Sequence, residues 1–144
     1  MQRRNFVFSL LSLMVLVPIR ALAAVWNKAA FETTKLNEAT KNLAVHNEIS
    51  SQAIEIIAPD RAENGAVVQV EIKSNIANTE SIAMLVEHNP TPLIATFMFS
   101  KGAEPYVVTR IKMAETSDIK IIVKAGDQYF THAKNVVVLE NGCS

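Results

Sequence analysis

After His46 the chain breaks into short runs of β-branched and aliphatic residues, each closed by a turn signal, and that rhythm leaves few folds open. Ala53 to Ile57 is a first strand candidate, ended by Pro59-Asp60. The turn dipeptide Asn64-Gly65 precedes Ala66 to Ile72, in which Val68, Val70 and Ile72 alternate with Val67, Gln69 and Glu71. Ser81 to Glu87 and Leu93 to Phe99 flank His88-Asn89-Pro90-Thr91-Pro92, whose prolines cannot donate to a ladder. Lys101-Gly102 punctuates the chain before Tyr106 to Met113. Ile119 to Lys124 and Gln128 to Leu139 are then joined by a tight hairpin at Gly126-Asp127. About seven strands with turns roughly 8–12 residues apart form the pattern of an antiparallel β-sandwich. The single cysteine and the position of Trp26 before the strands exclude the disulfide and core tryptophan of antibody domains.

Ahead of the strands, Ala29 to Val45 has helical spacing. Ala29, Ala30, Phe31, Leu36, Ala39, Leu43 and Ala44 share much of one face, which predicts an N-terminal helix packed on the sandwich. The first 23 residues read as a secretory leader. Arg3 and Arg4 precede an apolar run from Val7 to Ile19, and Ala21-Leu22-Ala23 supplies the small residues a signal peptidase requires. Adjacent arginines followed by Phe6 also fit the twin-arginine route, which exports folded proteins. The run falls short of the roughly 20 residues of a spanning helix and is closed by Pro18 and Arg20. The expectation is therefore a signal over 1–23, a helix and sandwich over 24–139, an arm over 140–144, and a periplasmic, membrane-free mature form.

A mature chain starting at Ala24 has 121 residues, enough for one core without covalent staples. Without Arg3, Arg4 and Arg20, 11 basic residues face 14 acidic ones, a formal charge of −3. A mildly acidic chain with no basic patch has no electrostatic footprint for nucleic acid or anionic lipid.

One cysteine in an exported protein cannot close an internal disulfide, so Cys143 is either an intermolecular staple or a free reactive thiol. It follows the last apolar run, Val136 to Leu139, on the segment Glu140-Asn141-Gly142-Cys143-Ser144. That segment has no apolar residue to bury, and it predicts a flexible arm. Extended at about 3.3–3.6 Å per residue, the four residues from Glu140 to Cys143 project the sulfur roughly 13 Å past the sandwich. Glu140 and the carboxylate after Ser144 disfavour the thiolate, and no base or cation on the tail opposes them. A partner enzyme is needed to activate such a thiol, which is the behaviour of a carrier and not of a resident catalyst.

Other groups carry weaker signals. His46, His88 and His132 lie 42 and 44 residues apart, without metal-ligand spacing, and read as surface or loop histidines. Asp60, Glu63 and Asp118 each sit beside a turn signal, where acidic side chains satisfy backbone donors. Met84, Met98 and Met113 fall in strand candidates and read as packing. No phosphate loop, Ser/His/Asp arrangement or haem-attachment pair is present, so neither catalytic residues, a metal nor a cofactor is expected.

Three stretches stand in order along the chain: Ala58-Pro59-Asp60-Arg61-Ala62-Glu63-Asn64-Gly65-Ala66-Val67-Val68, Leu85-Val86-Glu87-His88-Asn89-Pro90-Thr91-Pro92-Leu93, and Thr109-Arg110-Ile111-Lys112-Met113-Ala114-Glu115-Thr116-Ser117-Asp118. Together they resemble the SoxY family of sulfur carriers. The resemblance runs from the twin-arginine leader to the terminal cysteine. It implies an immunoglobulin-like sandwich that pairs with a leaderless SoxZ subunit and travels with it through an export route for folded complexes. It implies that the arm cysteine, Cys143 here, is conjugated to thiosulfate by the haem enzyme SoxAX. SoxB then releases sulfate by hydrolysis, and a sulfane dehydrogenase-type enzyme oxidises the sulfur that stays bound. The protein itself is expected to be no enzyme. The family arm ends Gly-Gly-Cys-Gly-Gly, whereas Asn141, Gly142, Cys143 and Ser144 make a bulkier, shorter tip. A paralogue tuned to sulfide or polysulfide sulfur, and an interaction module whose Cys143 only staples a dimer, remain the alternative readings.

Overall fold

The computed structural model describes residues 27–140, so the leader, Trp26 and the tail 141–144 lie outside the described residues. Two short helices, α1 (Lys28–Glu32) and α2 (Leu36–Asn42), precede nine described strands. The strands are β1 (Ile49–Ser50), β2 (Ile54–Ile57), β3 (Arg61–Asn64), β4 (Val68–Ser74), β5 (Thr79–Val86), β6 (Leu93–Met98), β7 (Tyr106–Ile111), β8 (Ser117–Ala125) and β9 (Gln128–Glu140). They form an immunoglobulin-like sandwich. One sheet has the order β1-β9-β8-β5-β6 with β3 also on β9, and the other is β2-β4-β7.

The alternation read in the sequence is the alternation of the core. In β4, Val68, Val70, Ile72 and Ser74 are buried while Gln69 is exposed. Val68, Val70 and Ile72 meet Ile82, Met84, Val86, Ile119, Ile121, Val123, Val136 and Val138 of the larger sheet. Apolar side chains standing on alternate positions of two facing sheets make one dry layer between them. The β8–β9 hairpin turns at Gly126 and Asp127, with Ala125 opposite Gln128. Gly126 takes a φ of 62°, the region that glycine enters without steric cost.

Alternation fails where the larger sheet is covered on both sides. Ile82 through Val86 are all buried, as are Ile121, Ile122 and Val123. Ala83, Leu85 and Ile122 point away from the inter-sheet core and pack with Ala30, Ala39, Leu93 and Tyr129. The helices thus lid the outer face, and the two fully buried alanines allow close approach of helix to sheet.

The single helix expected over Ala29 to Val45 is in fact two helices. Thr33 is extended, with φ −73° and ψ 145°. Its hydroxyl donates to Glu38 Oε2 at 2.9 Å and accepts from the Lys35 amide at 3.4 Å. A threonine hydroxyl that bonds nearby backbone competes with the helical ladder, and here it opens the break. Two asparagines tie the halves together. Asn27 Nδ2 donates to the Asn42 carbonyl at 2.6 Å, and Asn42 Nδ2 donates to the Ala29 carbonyl at 3.2 Å.

The all-antiparallel sheet expected from the sequence also needs correction. β1 and β3 both run parallel to β9, pairing with its first and second halves. β3 (Arg61–Asn64) occupies the stretch between the Pro59-Asp60 and Asn64-Gly65 turn signals, where no strand is expected. Arg61, Glu63 and Asn64 are exposed and Ala62 is its one buried residue, so no apolar period announced it. Its place is set by backbone partners on β9, among them the Val137 amide, which donates to the Asp60 carbonyl at 2.9 Å. β4 accordingly begins later than expected, at Val68, and Val67 stays 63% exposed.

Candidate functional site at the root of the C-terminal arm

Cys143, with Asn141, Gly142 and Ser144, lies outside the described residues. The site is therefore built from what holds the chain up to Glu140. Val136 and Val138 bury themselves between the sheets, and Leu139 is exposed. Thr116 Oγ1 accepts from the Val138 amide at 2.9 Å. The Gly65 amide donates to the Glu140 carbonyl at 2.9 Å, and the Met113 amide donates to the Gly65 carbonyl at 2.7 Å. Gly65 is thus a backbone rung between the arm root and the segment after β7. The parallel strand β3 carries this rung, and no reading of local periodicity could have found it.

Beside the root, the edges of the two sheets leave a cavity of about 380 Å³ between β6 and β7. Pro90, Ile94 and Ile111 give it apolar walls, and Arg110 and Lys112 line it with cations. Asn89 fixes its shape. Its Nδ2 donates to the Lys112 carbonyl at 2.7 Å, and its Oδ1 accepts from the Ala114 amide at 2.8 Å. Among the described residues, neither Arg110 nor Lys112 has a carboxylate within ion-pair distance. Sequence reasoning missed this pair. The signal was present in Arg110-Ile111-Lys112, two cations flanking a core residue, but only pairing with β4 shows where the strand lies. A larger cavity of about 490 Å³, lined by Ile76, Thr79, Phe99 and Pro105, sits at the other end of the same edges, away from the root.

The acidic turn residues behave as fold elements. Asp118 Oδ1 accepts from Asn135 Nδ2 at 2.7 Å. Asp60 meets Lys134 Nζ at 2.8 Å across the β3–β9 junction. The hydrogen bond from Lys134, then its charge, hold the Asp60 carboxyl below the usual carboxylate range. A depressed folded-state pKa contributes stability above the unfolded value and loses it as pH falls through the folded one. Asp60→Asn should therefore unfold at slightly lower urea than wild type at neutral pH, and the two should converge as pH drops below about 4. Urea midpoints that keep the same gap from pH 7 to pH 2 would refute the linkage.

The histidines stay apart. His46 makes an edge contact with Tyr129 at 5.1 Å, and His88 Nδ1 lies 2.8 Å from the Thr116 carbonyl and 3.5 Å from Glu115. His132 lies within β9, the strand expected from Gln128 to Leu139, opposite Ile121. No group of three His, Cys, Asp or Glu among the described residues could hold a metal ion. Met84 and Met113 are fully buried, as packing requires, whereas Met98, last on edge strand β6, is 70% exposed and packs little. Among the described residues no helix is long and apolar enough to cross a membrane.

Residues 38–143 match the family model of sulfur oxidation protein SoxY. The chain belongs to the SoxY family. The sulfur carrier protein SoxY of Chlorobium limicola f thiosulfatophilum is 31% identical, with a TM-score of 0.67 over 72% of this chain and 96% of that one. The SoxY sandwich is shared more widely as a fold. A superoxide reductase (neelaredoxin) of Ignicoccus hospitalis superposes with a TM-score of 0.53 at 18% identity, covering 60% of this chain and 80% of that one. No curated protein matches the chain. The SoxY match begins in α2, takes in both parallel strands and ends on Cys143.

Proposed function

We propose that the protein is a non-enzymatic periplasmic carrier that holds thiosulfate-derived sulfur covalently on Cys143 while separate enzymes work on it. One observation carries this reading: the family match extends through the tail to the only cysteine in the chain. The anchoring of Glu140 by Gly65 supports it, because a tail used as an arm needs a fixed pivot.

The chemistry balances with the enzymes that the family resemblance implies. The Cys143 thiolate and thiosulfate join through a new S–S bond, giving Cys–S–S–SO₃⁻, and two electrons leave to the haem of a SoxAX-type enzyme. Water then cleaves the bond between sulfane sulfur and sulfonate at a SoxB-type hydrolase, releasing sulfate and two protons and leaving Cys–S–S⁻. A sulfane dehydrogenase-type enzyme oxidises that outer sulfur in place. A SoxZ-like chain is the proposed partner subunit, and residues 1–23 are the proposed twin-arginine signal. Nothing on the arm activates the thiol, so activation belongs to the enzyme that receives it.

The test is the intact mass of the protein purified from cells supplied with thiosulfate. Cys143 carrying thiosulfonate or sulfane sulfur supports the carrier. Free thiol together with symmetric disulfide dimer, and nothing else, would instead mark a staple.

A further inference from the structure

Under the helix lid, a cavity of about 270 Å³ lies between the segment after α2 and the outer face of the larger sheet. Strand register sets its floor, because Thr96 of β6, Ala83 of β5 and Ile122 of β8 stand side by side. Leu43, Val45 and Tyr129 complete its apolar lining. The segment above is fixed. Ala44 takes a φ of 58°, and the Ala44 and Val45 amides donate to the Lys41 and Thr40 carbonyls at 2.9 and 3.1 Å. That double bond with a left-handed residue closes a helix firmly. The Thr96 hydroxyl oxygen is enclosed here and, among the described residues, has no hydrogen-bond partner. A polar atom shut in without a partner is uncommon in native proteins and points to an absent group.

We infer that the absent group is the indole of Trp26, which fills this cavity and donates its N–H to Thr96 Oγ1. Size permits it. A cavity of about 150 Å³ takes one benzene ring, so a hollow nearly twice as large takes the two fused rings of an indole. Reach permits it. Asn27, the first described residue, donates from Nδ2 to the Asn42 carbonyl at 2.6 Å, and the next residue, Leu43, lines the cavity. Trp26 is one residue before that tie, and adjacent Cα atoms are about 3.8 Å apart. Chemistry selects it. A buried indole needs an acceptor for its single N–H, and a threonine hydroxyl accepts. Water alone satisfies the hydroxyl but leaves the walls of Leu43, Val45, Ala83 and Ile122 wet.

The anchor gives the five-residue helix α1 a support it lacks by itself, since so short a helix does not hold its own ladder. It also fixes where the chain enters the fold. Tyr129 is the second residue of β9 and Glu140 the last, a separation of roughly 35 Å along the strand. The N-terminal end is thereby pinned at one end of the sandwich and the arm root at the other. A leader held by export machinery and a thiol presented to an enzyme do not compete for the same surface. The inference stands independently of what Cys143 carries.

The test uses the isotope-labelled protein as purified from cells, with any subunit that co-purifies. Trp26 is the chain's one tryptophan, and its indole N–H resonance is assigned by its loss in Trp26→Phe. Nuclear Overhauser cross-peaks are expected from the indole to the methyl groups of Thr96, Ile122 and Val45. Thr96→Val keeps the shape and removes the acceptor, so the indole N–H should exchange faster with water while the cross-peak to Ile122 persists. Trp26→Ala should lower the urea midpoint, and added free indole should raise it again by refilling the cavity, with no such rise in wild type. An indole without cross-peaks to Thr96 and Ile122, or an unchanged midpoint in Trp26→Ala, would overturn the anchor. Free indole that shifts the Thr96 and Ile122 resonances equally in wild type and Trp26→Ala would show an open cavity and overturn it too. Unchanged N–H exchange in Thr96→Val would remove the hydrogen bond on which the assignment rests.

Discussion

Cys143→Ser is expected to abolish every covalent sulfur adduct and reduce thiosulfate oxidation in vivo to the level of a strain lacking the gene. The chain has one cysteine, so no second thiol can take over the load. A serine hydroxyl is a poor nucleophile without a dedicated base, and it cannot form the S–S bond in which the intermediates are held. The thermal midpoint is the internal control and should not move, since among the described residues the inter-sheet core runs from Ile54 to Val138. Wild-type growth on thiosulfate with the serine variant would remove Cys143 from the pathway altogether. A variant with a shifted midpoint would show that the tail serves the fold as well.

The second large effect concerns stability. Ile121 is fully buried on the inner face of β8, opposite Met84 on one neighbour and His132 on the other. Ile121→Ala removes three buried carbons at the centre of the core and should cost about 2–5 kcal/mol. For a domain of this size that lowers the thermal midpoint on the order of 10 °C. Ile57 is the matched comparison, because it is also a strand isoleucine yet is 59% exposed. Ile57→Ala should stay within about 0.5 kcal/mol of wild type. Equal urea midpoints for the two variants would contradict the burial on which the sandwich rests.

The two isoleucines also mark how far a linear reading reaches. Ile57 and Ile121 look alike in sequence, each in a run of apolar residues, and only the second is enclosed. The Ile54 to Ile57 run belongs to β2, at the edge of the smaller sheet, where one face meets solvent. Ile119 to Val123 lies in β8, with neighbours on both sides and the helices above. An apolar run signals burial but does not count the layers that cover it.

What the sequence by itself determined is local. Val68, Val70 and Ile72 alternate because a strand half-buried in a sandwich must. Gly126-Asp127 closes a two-residue hairpin because glycine tolerates the required φ. A single thiol beyond the last apolar run is legible because composition and order need no folding to be read. What only the tertiary structure decided is non-local. β3 is a strand because β9 offers it backbone partners, although Arg61, Glu63 and Asn64 have no apolar period. The expected single helix parts at Thr33, where a hydroxyl bonds Glu38 and the Lys35 amide. Arg110 and Lys112 come to line a groove beside the arm root because Gly65 bridges Glu140 and Met113. Hydrogen bonds between distant backbone segments leave no periodic trace in the residues that make them. The single thiol could thus be found by reading the chain, while the anchoring of Glu140 and the cations near it emerge only when the two sheets close.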